Sequence, residues 1–211
     1  AALPDSGRFA MGIGGLRTRA GGPLADPAFA FALSPQHIPA RPLRAEVLSA
    51  QSVAIHFDGP VVAEGVLLDA FVFVDTSLQV LAARVLADRV VLELAAPLRP
   101  LGRSYGIRIT GLRDENGQRV EGAVSFRYAA ADLAAAAPFP NPYRPGSGAL
   151  TFGFLTAEAE VAIFDASGNL VRTLIERDGD GGVQWDGRNQ AGQMVGTGVY
   201  LYRIAHGAEA R

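Results

Sequence analysis

The stretch Val183–Ile204, with the sequence VQWDGRNQAGQMVGTGVYLYRI, decides how the chain is expected to fold. It contains the only Trp of the chain, a polar turn opened by Trp185-Asp186-Gly187, and a second turn at Gly196–Gly198. Its last part, Val199–Ile204, has apolar or aromatic side chains on both faces, which is typical of a strand inside a β-sandwich. The stretch therefore predicts a turn-rich β-fold in which Val199–Ile204 is a central strand.

The composition favours a folded β-protein and excludes several classes of function. The 211 residues are 49% hydrophobic, and 25 Gly and 13 Pro are scattered without a period, as expected for many short strands joined by turns. Every Lys or Arg position is Arg, these residues are dispersed, and the net charge is −2, so no nucleic-acid partner is predicted. The lack of Cys removes disulfides, thiolate catalysis and Cys-ligated metals. No apolar run is long enough for a transmembrane helix.

An early block of the chain resembles a later one. The block Arg8–Leu33 aligns with Arg103–Ala129, at a spacing of roughly 100 residues, which is the size of one immunoglobulin-like domain. The corresponding residues are Phe9 with Tyr105, Met11 with Ile107, Phe29 with Val124, and Phe31 with Phe126. The pattern predicts that residues 1–33 are the C-terminal strands of a preceding domain. The alternative is that two hairpins with glycine turns resemble each other by chance.

Residues 45–130 are predicted to form a complete β-domain, between a Pro-rich linker at 34–44 and an Ala/Pro linker at 131–138. Apolar residues alternate with other residues in short runs that are punctuated by Gly, Pro or Asp, which is the pattern of a sandwich. The alternating sets are Val53/Ile55/Phe57, Phe71/Phe73, Val90/Leu92/Leu94, Tyr105/Ile107/Ile109 and Val124/Phe126/Tyr128. The turn Asp114–Gly117 predicts a hairpin, because Asn-Gly adopts positive φ at little cost.

Three segments of this domain carry a family resemblance: VAIHFDGPV at Val53–Val61, VVLELAAPLRPLGRSYGIRITGL at Val90–Leu112, and DENGQRV at Asp114–Val120. Their order resembles that of bacterial immunoglobulin-like domains in S-layer and other surface proteins. The resemblance implies a β-sandwich that serves as an extracellular spacer.

Residues 139–211 carry a second resemblance. The motifs are PNP at Pro140–Pro142, VAIFDASGNLVRTL at Val161–Leu174, WDGRNQAG at Trp185–Gly192, and GVYLYRI at Gly198–Ile204. They are similar to the immunoglobulin-like domain of flagellar hook-capping proteins and to the C-terminal sorting domain of type IX secretion substrates. The resemblance implies a role in export, surface attachment or assembly.

The C-terminal segment departs from these families at its end. Such domains continue after the Y-x-Y strand into a final strand, whereas this chain stops at Arg211. We therefore expect a domain that lacks its last strand and has an open edge at Val199, Leu201 and Arg203, where a partner's strand pairs. No signal peptide is recognised at the start, so the chain is expected to be processed or to be a piece of a longer protein.

Two groups of residues are candidate ligand sites. Asp178 and Asp180, in a Gly-rich acidic loop, offer oxygens to Ca²⁺, but the loop lacks EF-hand spacing and is expected to be a solvated turn. Trp185 and Asp186 are the residue types of a sugar-stacking platform. The competing interpretation places Trp185 in the core and Asp186 on turn amides, and it is the one we favour. The histidines have no metal-ligand spacing.

The sequence contains no recognised catalytic motif, so the protein is predicted not to be an enzyme and to need no cofactor or metal. The predicted fold is all-β, with tandem immunoglobulin-like sandwiches of which the first is incomplete. The expected role is a structural module at the cell surface or outside the cell, whose partners are other protein subunits, further copies of itself, or export machinery. The alternatives are a carbohydrate-binding module of a secreted hydrolase and a hook-cap-like scaffold.

Overall fold

The computed structural model describes residues 7–12, 28–33, 37–62, 68–74, 77–144 and 148–206. Over these ranges the protein is all-β, with sixteen strands, one 3₁₀ turn at Leu68–Ala70 and no α-helix. None of the described elements is a helix that is long and apolar enough to cross a membrane. The chain divides into two compact units, Ala1–Ile38 and Pro39–Arg211.

The first unit contains one antiparallel hairpin, formed by β1 (Gly7–Gly12) and β2 (Ala28–Leu33). In the second unit, β9 (Tyr105–Asp114) and β10 (Arg119–Phe126) form another antiparallel hairpin. Phe9 lies opposite Phe31 and Met11 opposite Phe29 in the first, and Tyr105 lies opposite Phe126 and Ile107 opposite Val124 in the second. Residues that correspond in the sequence repeat therefore occupy corresponding pairing positions. The origin of the first hairpin in a preceding domain remains a prediction.

The middle part of the chain forms a sandwich of two antiparallel sheets. One sheet has the strand order β3 (Pro42–Ser49), β4 (Ser52–Phe57), β8 (Arg89–Leu94), β7 (Val80–Leu86). In the other sheet β9 pairs with β10, β5 (Val61–Val62) and β6 (Phe71–Val74). The range 34–44, expected to be a linker, contains buried Ala40 and the first residues of β3.

The core of the middle sandwich follows the predicted alternation. In β8, and in β9 as far as Ile109, every second side chain points between the sheets, because successive residues of a strand face opposite sides. The residues of the predicted sets that are buried are Val53, Ile55, Phe57, Phe71, Phe73, Val90, Leu92, Leu94, Tyr105, Ile107, Ile109, Val124 and Phe126. Ala54 is also buried, since β4 lies inside its sheet. Tyr128, predicted with this set, lies beyond the end of β10 and is partly buried against the core.

The C-terminal part forms a second sandwich with its own core. One sheet has the order β11 (Ala137–Phe139), β12 (Leu150–Gly153), β15 (Gly182–Trp185), and the other has the order β14 (Leu170–Ile175), β13 (Ala159–Phe164), β16 (Leu201–His206). The buried residues are Leu150, Phe152, Leu155, Ala159, Val161, Ile163 and Trp185. The expected linker 131–138 includes the start of β11, and its Leu133 and Ala136 pack against this core.

The predicted strand Val199–Ile204 differs from the observed one in extent and position. Strand β16 begins at Leu201 and lies at the edge of its sheet, while β13 takes the centre with Val161 and Ile163 fully buried. Val199 precedes the strand and is 72% exposed. Apolar side chains on both faces do not distinguish a central strand from an edge strand that is half covered.

Tyr105 connects the core of the middle sandwich to the loop that follows β8. Its ring is 1% exposed and stacks on Phe126 at 5.5 Å between ring centroids. Its hydroxyl donates to the carbonyl oxygen of Arg99 at 2.7 Å and accepts from the backbone N–H of Arg99 at 2.8 Å. One buried side chain therefore satisfies both main-chain groups of a loop residue.

We expect Tyr105→Phe to lower the free energy of unfolding by about 1–3 kcal/mol, because it leaves both backbone groups of Arg99 without their partner. Urea unfolding followed by circular dichroism measures the change. Tyr128→Phe, at a partly buried tyrosine near the same core, is the matched control. An equal effect of the two substitutions would show that the Arg99 contact contributes nothing.

Candidate functional site

The C-terminal sandwich has an open cavity of about 430 Å³ between its two sheets. The lining comes from both sheets and from the loop before β16, and it includes Tyr143, Leu150, Phe152, Ile163, Trp185, Met194, Tyr200 and Tyr202. Most of these side chains are apolar or aromatic. The cavity, which we call the groove, is therefore suited to apolar side chains rather than to polar chemistry.

The groove is open because the sheet containing β16 ends there. Among the described strands, β16 pairs only with β13, so its other edge has main-chain N–H and C=O groups without a strand partner. Tyr202 packs edge-on against Phe152 across the sandwich, with the ring centroids 5.4 Å apart. It is nevertheless 46% exposed. An aromatic side chain that faces the interior is thus left half uncovered at the edge.

The three residues predicted to line a pairing edge are placed differently. Leu201 and Arg203 belong to β16, where Leu201 is 55% exposed and the guanidinium of Arg203 lies 4.0 Å from the carboxylate of Glu160. Val199 lies outside the strand, although it lines the groove. Sequence reasoning missed Tyr202 as a groove residue. The sequence did offer a signal: Tyr202 is the second tyrosine of the Y-x-Y pattern, so it lies on the face of the strand opposite to Leu201 and Arg203.

Trp185 lies in the core of the C-terminal sandwich. It is 4% exposed, its indole N–H donates to the carbonyl oxygen of Arg188 at 2.8 Å, and its ring packs edge-on against Tyr200. Asp186 accepts a hydrogen bond from the backbone N–H of Arg188 at 3.1 Å. These positions agree with the core interpretation. A sugar-stacking platform needs an exposed indole face.

The acidic loop, residues 176–181, is organised by its first residue, Glu176. Glu176 is 1% exposed, and its carboxylate accepts from the backbone N–H groups of Gly179 at 2.7 Å, Asp180 at 3.1 Å and Glu158 at 3.1 Å. Three N–H donors satisfy a buried carboxylate without a cation. The carboxylate precedes two of these amides by three and four residues, a local pattern that the sequence displays.

Asp178 and Asp180, the Ca²⁺ candidates, lie beside Glu176, with one carboxylate oxygen of each residue within 4.8 Å of the others. Burial raises the pKa of Asp180, and the neighbouring negative charges of Asp178 and Glu176 act in the same direction. Ca²⁺ prefers six or more oxygen ligands, and the carboxylate of Glu176 already holds the turn. The arrangement fits a structural turn, and binding of Ca²⁺ remains a hypothesis.

Two histidines are held by local contacts. His56 Nε2 lies 3.0 Å from a carboxylate oxygen of Glu46, and His206 Nδ1 lies 2.7 Å from the hydroxyl of Thr156. Within the described ranges, the one cluster of three metal-ligand side chains is that of Glu176, Asp178 and Asp180, and it includes no histidine.

Comparison with known families supports the fold of the C-terminal part. The family model of the FlgD Ig-like domain matches residues 145–209, a range that contains β12 to β16. The match supports an immunoglobulin-like β-sandwich fold for this segment. No curated protein matches the chain.

Solved structures of the bacterial S-layer protein SbsC are similar to the chain at 16% identity. The structure of its N-terminal part has a TM-score of 0.38, and the match covers 64% of this chain and 33% of that chain. The structure of rSbsC(31-844) has a TM-score of 0.41, and the match covers 65% of this chain and 24% of that chain. Dimeric latent PorU from Porphyromonas gingivalis is 19% identical, with a TM-score of 0.27 and coverage of 79% and 18%. The chain spans a third or less of the length of these proteins.

We expect Trp185→Ala to destabilise the C-terminal sandwich by about 3–5 kcal/mol, because it empties a large volume in a small core. Trp185→Phe, which keeps an aromatic ring but loses the bond to Arg188 and part of the ring volume, should cost less. Urea unfolding followed by circular dichroism compares the two variants. If Trp185→Ala leaves stability unchanged but abolishes binding to a glycan, the core interpretation is wrong.

Asp180→Asn should stabilise the protein at neutral pH. Because the folded state raises the pKa of Asp180, the ionised carboxyl lowers stability above that pKa, and the loss disappears as pH falls through it. Asparagine keeps the oxygen that accepts from Gly182 N–H. The gain over wild type should therefore shrink as the pH of urea unfolding is lowered.

Asp165→Asn is the control of opposite sign. A side-chain hydrogen bond from Asn169 lowers the pKa of Asp165, so ionised Asp165 adds stability that is lost as pH falls through the lowered pKa. This variant should be less stable than wild type at neutral pH and should approach it in acid. If the two variants had equal pH profiles of stability, the raised pKa of Asp180 would be contradicted.

Proposed function

We propose that the chain is a non-enzymatic structural module of a larger secreted or cell-surface protein. The middle sandwich serves as a spacer, and the C-terminal sandwich serves in export, surface attachment or assembly. The observation that carries the proposal is the edge of β16 that has no strand partner among the described residues, beside an apolar groove in a domain of the immunoglobulin-like class. Placement outside the cell rests on the resemblance of both sandwiches to domains of surface and exported proteins.

An extended segment of another protein subunit is the occupant that such an edge suits. Main-chain hydrogen bonds along β16 supply affinity, and alternate side chains of the added strand enter the groove and supply specificity. The added strand covers the ring of Tyr202, which is otherwise 46% exposed, and continues the sheet β14-β13-β16. When the donor is another copy of the same protein, repetition of the contact builds a fibre or an array.

The polar groups support a structural rather than a catalytic role. Asp114 and Glu176, the two buried acidic residues of the described chain, both hold turns. Asp114 accepts from the backbone N–H groups of Asn116 and Gln118, at 2.9 Å each, in the β9–β10 hairpin. Glu176 holds the acidic loop in the same way. These carboxylates are used to position the backbone.

A second candidate is a carbohydrate-binding module of a secreted hydrolase. The observation in its favour is the set of tyrosine rings at the groove, Tyr143, Tyr200 and Tyr202, since aromatic faces with hydroxyl groups suit sugars. Glycan-array binding that is lost in Tyr202→Ala, with the fold retained, supports this candidate. A third candidate, a hook-cap-like scaffold, is motivated by the family match over residues 145–209. The full reading frame of the parent protein would distinguish this scaffold from the other two candidates.

We expect the purified chain to self-associate as its concentration rises, and we expect Leu201→Lys to reduce that association. A lysine on an edge strand disfavours addition of another strand because the charge must be desolvated beside it. Sedimentation velocity over a concentration series, with negative-stain microscopy at the highest concentration, measures the effect.

The matched control is Leu170→Lys, on the opposite edge strand β14, because Leu170 and Leu201 are similarly exposed at 57% and 55%. This variant should associate like wild type. A wild-type chain that stays monomeric at high concentration argues strongly against assembly. Equal effects of the two lysines place the contact elsewhere than β16.

A further inference from the structure

The two sandwiches of the unit Pro39–Arg211 meet along a seam of main-chain contacts. The backbone N–H of Phe154, next to β12, donates to the carbonyl oxygen of Pro100 in the middle sandwich at 2.7 Å. The backbone N–H of Gly102 donates to the carbonyl oxygen of Asp180 at 3.2 Å. Hydrogen bonds between backbone groups constrain the relative position of two segments more strongly than bonds from long, flexible side chains do.

Both sides of the seam are held in place by their own sandwich. Tyr105 binds both main-chain groups of Arg99, immediately before Pro100. Glu176 binds the amides of Gly179 and Asp180, immediately before Gly181. Each loop is therefore preorganised before the two sandwiches meet, which lowers the entropic cost of the contact.

Glycines at the seam allow a backbone approach that no other residue permits. A Cβ on Gly181 would lie 2.2 Å from Cβ of Pro100 and 2.9 Å from the carbonyl oxygen of Tyr128. A Cβ on Gly182 would lie 2.5 Å from the backbone nitrogen of Gly102. The surrounding atoms are backbone or a proline ring, which cannot rotate away.

Side chains add to the same seam. The guanidinium of Arg127 donates to the carbonyl oxygen of Asp178 at 3.3 Å and lies 3.8 Å from its carboxylate. The guanidinium carbon of Arg99 lies 5.6 Å from the ring centroid of Phe154. Both contacts join the middle sandwich to the C-terminal one.

We infer that the seam is a rigid joint, in which Pro100–Gly102 and Gly181–Gly182 lock the two sandwiches into one cooperative unit with a fixed relative orientation. Tandem domains in one chain move relative to each other by default, unless their interface prevents it. Here the interface prevents it through backbone hydrogen bonds and a close approach. This inference goes beyond the proposed function, since it holds whatever segment or ligand the groove takes.

The test compares Gly181→Ala with Gly179→Ala. Both glycines lie in the same loop with nearly the same positive φ, +76° and +74°, but a Cβ on Gly179 meets nothing within 4 Å. The two substitutions therefore impose the same backbone strain, and only the first forces the seam apart. Because the chain has no Cys, single cysteines at exposed Glu121 and Ser167 place one spin label on each sandwich.

Wild type and Gly179→Ala should give one narrow distance distribution between the labels by pulsed electron resonance, and Gly181→Ala a broad or shifted one. Unfolding gives a second readout, because Trp185 is the only Trp and reports on the C-terminal core. In wild type its fluorescence transition should coincide with that of circular dichroism. In Gly181→Ala the fluorescence transition should occur at a lower denaturant concentration than the transition seen by circular dichroism.

If Gly181→Ala does not fold, as judged by the native emission of Trp185, Gly182→Ala replaces it, because Gly182 has no positive φ and its Cβ meets Gly102 directly. A distance distribution in the seam variant that equals that of Gly179→Ala overturns the inference. So does a broad distribution in wild type. Association through β16 is measured separately, so failure of either proposal leaves the other intact.

Discussion

The hydrogen bonds between the Tyr105 hydroxyl and the main chain of Arg99 connect the core of the middle sandwich to its contact with the C-terminal sandwich. The ring belongs to the hydrophobic core of the middle sandwich, where it stacks on Phe126. The hydroxyl fixes the loop that continues to Pro100, and the carbonyl oxygen of Pro100 accepts from Phe154 of the next sandwich. Core packing, loop conformation and the joint between sandwiches are thus linked through one buried side chain.

The two sandwiches differ in the number of strands that cover their cores, and this difference is why we propose the binding function for the C-terminal one. Over the ranges that the structure describes, the middle sandwich has two four-stranded sheets around a large core, whereas the C-terminal sandwich has two three-stranded sheets around a small one. A three-stranded sheet has a single interior strand, here β13, so β16 is an edge. The apolar side chains that β16 directs between the sheets are covered on one side only. The small number of described strands thus accounts both for the groove and for the edge of β16 that has no described partner.

Much of the fold and part of the candidate site were predictable from the sequence. Alternation in Val90–Leu94 and Tyr105–Ile109 predicted buried faces, because a strand sends successive side chains to opposite sides. The Asp114–Gly117 turn follows from local backbone preferences alone. Leu201 and Arg203 were predicted to line a pairing edge. Both lie in β16, and pairing with a partner's strand remains a prediction. Local patterns carry this information because strand, turn and face are all decided within a few residues.

The sequence by itself determined the all-β class and many of the strands, and it favoured burial of Trp185. The sequence predicted Val199–Ile204 both as a central strand and as an open edge. Only the tertiary structure gives β16 a single strand partner among the described residues, since the number of neighbouring strands is not encoded in its own side chains. The tertiary structure also decided the role of the acidic loop. In the sequence Gly181 reads as an ordinary loop glycine, whereas in the structure it packs directly against Pro100 of the middle sandwich. Both decisions depend on contacts between residues far apart in the chain, and such contacts leave no periodic pattern in the sequence.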